Sequence, residues 1–209
     1  MPIVYAFADG ACHNNGGPAA RAAFAAIVVG GSFSPAVITR GRVAAATYRW
    51  PRGAARLECA GPPVAPSNNR GELLGLAYAL VTCLTGAAGP TDEVIVVSDS
   101  LIALRTVDTW YPARRAAGTT AALKNLDLVE ACAEALAALR ARVASVTLTH
   151  VRGHQPPPRA NPVVHARWPL IHATAALHHR GNELADAWAS VALALDVDDG
   201  VVVSRAETL

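Results

Sequence analysis

Hydrophobic and polar positions alternate from the first residues of the chain: Ile3, Tyr5, Phe7 and Asp9 fall on one side, Val4, Ala6 and Ala8 on the other. That period of two predicts a strand. The apolar run Ala22 to Val29 and the stretch Val37 to Tyr48 predict two more, linked at Gly30-Gly31-Ser32 by turn-forming residues, so an antiparallel meander is expected. Over 49–66 the period is lost among Pro51, Gly53, Gly61, Pro62, Pro63 and Pro66, which predicts an irregular loop. Ser67 or Asn68 then caps a helix with the apolar stripe Leu73, Leu76, Leu80 and Leu84, placing Glu72 in the first turn, where the helix dipole favours an anion.

The near-continuous apolar run Glu93 to Ser98 suits a strand buried on both faces beside a parallel neighbour. With the preceding helix as crossover it lies next to the first strand, so Asp9 and Asp99 stand side by side. Further on, Leu101 to Val107 predicts a short helix, and Thr109 to Thr120 is a segment of Trp, Arg and Gly. Leu126 to Arg142 predicts a long helix with Leu126, Val129, Ala133 and Leu136 inward, Val146 to His150 a fifth strand, and Asn182 to Leu195 a last helix. One domain over 1–195 is expected, with insertions at about 49–66 and 155–180, followed by a loosely held acidic tail over 196–209. The second insertion holds Pro156-Pro157-Pro158 and the apolar Trp168, Leu170, Ile171 and Leu177, so part of it is expected to pack as a flap or short helix.

Composition narrows the class. Aromatics make up only 5% of the chain, so the core must come from Val, Leu, Ile and Ala. The longest apolar runs, Ala22 to Gly31 and Ala187 to Leu195, are too short to span a bilayer, and Met1-Pro2-Ile3-Val4-Tyr5 lacks a basic leader. Cys12, Cys59, Cys83 and Cys132 show no CxxC spacing and read as reduced thiols. A cytoplasmic or nuclear protein without a membrane partner is expected. The formal net charge is only +2, so any affinity for nucleic acid must come from a local patch.

Four short acidic signatures carry the chemistry: Phe7-Ala8-Asp9-Gly10, Asn68-Asn69-Arg70-Gly71-Glu72, Val97-Ser98-Asp99-Ser100 and Gly181-Asn182-Glu183-Leu184-Ala185-Asp186. Each puts a carboxylate at a predicted strand end or helix start, where open α/β sheets bind ligands. His150-Val151-Arg152-Gly153-His154 precedes the last of them. Phosphodiester hydrolysis by two divalent ions needs hard oxygen ligands of this kind. In this order the set resembles the ribonuclease H family, type 1 branch.

That resemblance implies a ribonuclease H-like α/β fold: a five-stranded mixed sheet, three strands antiparallel and two parallel, with helices on both faces. It implies endonucleolytic hydrolysis of the RNA strand of RNA/DNA hybrids, leaving 5′-phosphate and 3′-hydroxyl ends. Asp9, Glu72, Asp99 and Asp186 would be catalytic residues and ligands of two Mg²⁺ ions, for which Mn²⁺ can substitute. Asp9 would bridge the ions, Glu72 and Asp99 would complete the nucleophile side, and Asp186 the leaving-group side. His154 matches the family's mobile histidine, which assists proton transfer or product release. His13, His165, His172, His178 and His179 match no zinc spacing and are expected to be without a role.

Substrate contacts are expected from Asn15, Asn68 and Asn69, short polar side chains suited to the 2′-hydroxyl of a minor groove. Trp110, Arg114, Arg115 and Lys124 mix an aromatic with cations, as suits a DNA backbone. The implied partner is the hybrid, bound by a monomer, and no motif names a replication partner. Two rival readings stand beside this one. A superfamily nuclease or integrase acting on DNA fits less well with Ser67-Asn68-Asn69, and a hybrid-binding module without catalysis fits less well with intact acids.

Overall fold

In the computed structural model, which describes residues 2–30, 33–43, 49–52, 55–58, 65–154, 168–195 and 202–206, the first alternating run forms β1 (Ile3–His13). Antiparallel pairing joins it to β2 (Arg21–Gly30) from Val4↔Gly30 to His13↔Arg21. Parallel pairing with β6 (Glu93–Ser98) runs only from Ile3↔Glu93 to Phe7↔Val97. Asp9 therefore lies within β1, two residues past the point where its parallel neighbour stops, and not at a strand end.

The second strand pairs with β3 (Phe33–Arg42), which occupies an earlier stretch than the expected 37–48, and β6 pairs in parallel with β7 (Ser145–His150). This is the five-stranded mixed sheet, and a sixth strand extends it. Within the segment expected to be a loose tail, β8 (Val202–Ala206) pairs antiparallel with β3, giving the order β7-β6-β1-β2-β3-β8. The physical reason is the free edge of β3, whose unpaired backbone groups accept a β-prone Val-Val segment. Asp196, Asp198, Asp199 and Glu207 lie outside the described residues. The proline-rich stretch also departs from expectation, because β4 (Arg49–Arg52) and β5 (Ala55–Glu58) form a separate hairpin. Pro51 is compatible with it because a two-stranded ribbon leaves one side of each strand open.

On one face of the sheet lies α1 (Asn68–Thr82), capped by the Ser67 hydroxyl, which accepts from the Arg70 amide at 3.3 Å. The cap at Ser67 leaves Glu72 beyond the first turn, so the expected dipole contribution, which decays within that turn, does not apply. Leu74, Leu76 and Leu80 are fully buried between the sheet and α4 (Leu126–Arg140), which supplies Leu128, Val129 and Leu136 to the same core. Between these helices, α2 (Leu101–Arg105) continues through a π-helical turn, Thr106–Trp110, into α3 (Tyr111–Ala116). The Trp and Arg segment is thus helical through Ala116.

The opposite face is covered by α5 (Trp168–Ala194), packed on Phe7, Ile27 and Val97 through Ala185, Leu184 and Trp188. This helix begins well before the expected start at Asn182. Gly181, read from sequence as a helix opener, lies in its interior: a Cβ there would collide with the Phe7 ring, so the residue is small for packing. Residues 155–167 of the expected insertion lie outside the described residues, and the remainder is helix. Among the described residues no helix is long and apolar enough to cross a membrane, and Cys12, Cys83 and Cys132 are free thiols.

Candidate active site

Three acids converge from three elements. Asp9 comes from β1, Asp99 follows β6 directly, and Glu72 comes from α1, whose Gly71 backbone meets Gly10 with no side chain between. One carboxylate oxygen from each of Asp9, Glu72 and Asp99 lies within 4.8 Å of the others. Asp9 is 4% exposed and Glu72 6%, so the cluster is sunk into the sheet rather than spread over it. The Gly10 amide donates to Asp9 Oδ1 at 2.7 Å and the Asn182 amide nitrogen to Asp9 Oδ2 at 3.2 Å. Asn68 Nδ2 donates to Glu72 Oε1 at 3.3 Å, while Glu72 Oε2 is buried and unpartnered.

Crowding three carboxylates in a largely buried site penalises their ionised forms. Burial, then the Asp99 and Asp186 charges, push Asp9 up to about 8 despite the Gly10 and Asn182 hydrogen bonds. Burial raises Glu72 well above the carboxylate range, with Asp9 and Asp99 adding to it. Asp99 is raised by burial and by Asp186, against a lowering influence of His154 and His150. Such a cluster, with a buried orphan oxygen, is short of positive charge. Hard oxygen donors at this separation fit a divalent cation.

Asp186 stands outside the tightest trio but lines the same small pocket, together with Asn182, Glu183 and His179 from α5. These four occupy positions i, i+3, i+4 and i+7 of one helix, a single face aimed at Asp9 and Asp99. Sequence reasoning attached no role to His179. The spacing of 179 to 186 carries the signal, but it is visible only if the helix runs through Gly181. His178, one position away, packs edge-on against Tyr5 at 5.7 Å, and burial followed by His179 lowers its pKa. His165 lies outside the described residues, and His13 is exposed at the end of β1.

His154 reaches the pocket from the turn after β7, in the left-handed region at φ 55°. The preceding Gly153 lies so close to Asp99 that a Cβ there would overlap the carboxylate. We expect Gly153→Ala to displace Asp99 and weaken divalent-cation binding at the acidic cluster at least about 10-fold, while shifting Tm by less than about 4 °C, because the clash falls on a side-chain end rather than on the core. Cation titration and thermal melting of the same preparation check this.

The expected substrate residues divide. Asn15 Oδ1 accepts from the Asn68 backbone amide at 3.2 Å, tying the loop after β1 to the start of α1. Asn69, Trp110, Arg114 and Lys124 line one groove of about 610 Å³, floored by Leu73 and Val129. Arg115 is not among its lining residues. One structural pair was not anticipated: Arg70, 3% exposed, forks onto both Asp127 oxygens at 3.0 and 2.7 Å, joining α1 to the start of α4. The pair ties the start of α1, next to Asn69, to the start of α4, close in sequence to Lys124.

A family model described as RNase H matches residues 2–194. Among solved structures, LC9-RNase H1, a type 1 RNase H with the type 2 active-site motif, aligns with a TM-score of 0.57 at 19% identity, covering 98% of this chain and 78% of its own. The PFV RNase H domain aligns at 0.51 and 16% identity, covering 92% and 93%. The Prototype Foamy Virus protease-reverse transcriptase aligns at 0.54 and 17% identity, over 93% of this chain and 21% of that larger protein. At these identities the likeness is one of fold. A comparison with curated protein sequences finds no match.

Proposed function

The chain belongs to the RNase H family, and from that premise we propose that it is an endonuclease hydrolysing the RNA strand of RNA/DNA hybrids with two Mg²⁺ ions, leaving 5′-phosphate and 3′-hydroxyl ends. The observation that carries the reading is the convergence of Asp9, Glu72 and Asp99 within 4.8 Å, with one Glu72 oxygen buried and unpartnered. Asp186, on the facing helix, lines a small pocket with Asp9 and Asp99. Bound between these carboxylates, the ions would supply Lewis-acid stabilisation to the attacking and leaving oxygens.

The chain's own residues supply the rest. The Gly10 and Asn182 hydrogen bonds orient the Asp9 carboxylate, and Asn68 holds one Glu72 oxygen while the other is buried and unpartnered. His154, on the turn beside Asp99, is positioned for proton movement at the rim or for release of the product. The paired strand follows the groove past Asn69, Trp110, Arg114 and Lys124, where cations meet phosphates and the indole offers a stacking face. Asn68 and Asn69 are the contacts for the RNA 2′-hydroxyls.

Labelled RNA/DNA, RNA/RNA, DNA/DNA and single-stranded RNA, incubated with the purified chain and Mg²⁺, test the assignment. Cleavage confined to the hybrid supports it. Equal cutting of duplex DNA would transfer the chain to a DNA-acting branch, and binding of the hybrid without cleavage would make it a binding module.

A further inference from the structure

We propose that His179 is a further catalytic residue, contacting an oxygen of the scissile phosphodiester from the α5 wall of the site. The inference rests on the reading of this pocket as the hybrid-cleaving centre. A phosphodiester entering an acidic pocket brings more negative charge and needs N–H donors aimed at its oxygens. On the α5 side such donors are few: Glu183 and Asp186 accept only, and one of the two Asn182 amide protons goes to Asp9, while Arg152 lines the pocket from the turn after β7. His179 shares their helix face and their pocket, one turn before Asn182 and two before Asp186.

Its placement differs in kind from that of His154. His154 sits in a left-handed turn at the end of β7, whereas His179 belongs to an unbroken helix anchored on Phe7 at Gly181. A donor on such an element is held in place before substrate arrives, which is what stabilises a transition state rather than merely a complex. The helical phase is selective. His178, rotated by one residue, packs against Tyr5 with its Nε2 buried, and so serves the core.

Steady-state cleavage of a labelled hybrid in Mg²⁺ by the wild-type chain, His179→Ala, His179→Gln, His178→Phe and Asp9→Asn, with a melting curve for each, tests the assignment. His179→Ala should lower kcat by about 10-fold or more with KM within about 3-fold and Tm within about 2 °C, the loss expected for one hydrogen bond to a charged oxygen. His179→Gln keeps an N–H donor and should recover most of that loss, and His178→Phe should leave kcat unchanged. Wild-type kcat in His179→Ala, no recovery in His179→Gln, or an equal loss in His178→Phe would overturn the assignment while leaving the site reading intact. A wild-type chain no more active than Asp9→Asn would instead end the reading itself, and the role of His179 with it.

Discussion

Asp9→Asn should lower hybrid cleavage by at least about 10²-fold, because it removes a charge around which the rest of the site is arranged and with it several kcal/mol of transition-state stabilisation. The same substitution should stabilise the fold without metal. The Asp9 carboxyl is pushed from 3.8 to about 8 by burial and by its acidic neighbours. Between those values the folded chain retains a proton that the unfolded chain has released, so folding stability is lost as pH rises from about 4 through about 8. A neutral Asn carries no such penalty and keeps the isosteric shape. In EDTA at pH 8 its Tm should exceed that of the wild type by at least about 2 °C, and its Tm should depend less on pH. Melting curves across pH, paired with cleavage rates, check both halves; a variant that lost activity and stability together would place Asp9 in the core rather than in the chemistry.

The second large effect concerns the groove. Replacing Trp110, Arg114 and Lys124 together by Ala should raise KM for the hybrid by about 10-fold or more and leave kcat within about 3-fold, the signature of binding shared by ground and transition states. Loss of a stacking surface accounts for about 1–3 kcal/mol per base. Removing two cations should also flatten the salt dependence of kcat/KM by nearly two units of logarithmic slope, since each phosphate contact contributes about 0.9. Arg115→Ala, outside the groove lining, should change neither. An unaltered KM in the triple variant would mean that the hybrid crosses the protein elsewhere.

The neighbouring placement of Asp9 and Asp99 was legible before the fold because it needs only strand adjacency. A crossover from Asp9 through α1 to β6 puts Asp9 beside Asp99 whatever the details of the loops, and the parallel register from Ile3↔Glu93 to Phe7↔Val97 does so. The far end of the site was less legible for a specific reason. Gly181 has the appearance of a helix opener in one dimension and is a packing residue in three, since a Cβ there would meet the Phe7 ring. Taking it as the opener of the last helix hid the helix upstream of Asn182, and with it the face shared by His179 and Asp186. Long-range contacts leave a similar gap elsewhere. Nothing local to Val202–Ala206 identifies the open edge of β3, and nothing in Asn68-Asn69-Arg70 alone identifies Asp127 as the partner of Arg70.

The most direct measurement is cleavage of one RNA/DNA hybrid labelled separately on each strand, in Mg²⁺ and in EDTA, followed by extension of the cut strand with a polymerase. The account predicts that the RNA label alone is released, only with Mg²⁺, and that the cut RNA is extendable because it ends in a 3′-hydroxyl. Release of the DNA label, undiminished cleavage in EDTA, or RNA ends that a polymerase cannot extend would contradict it.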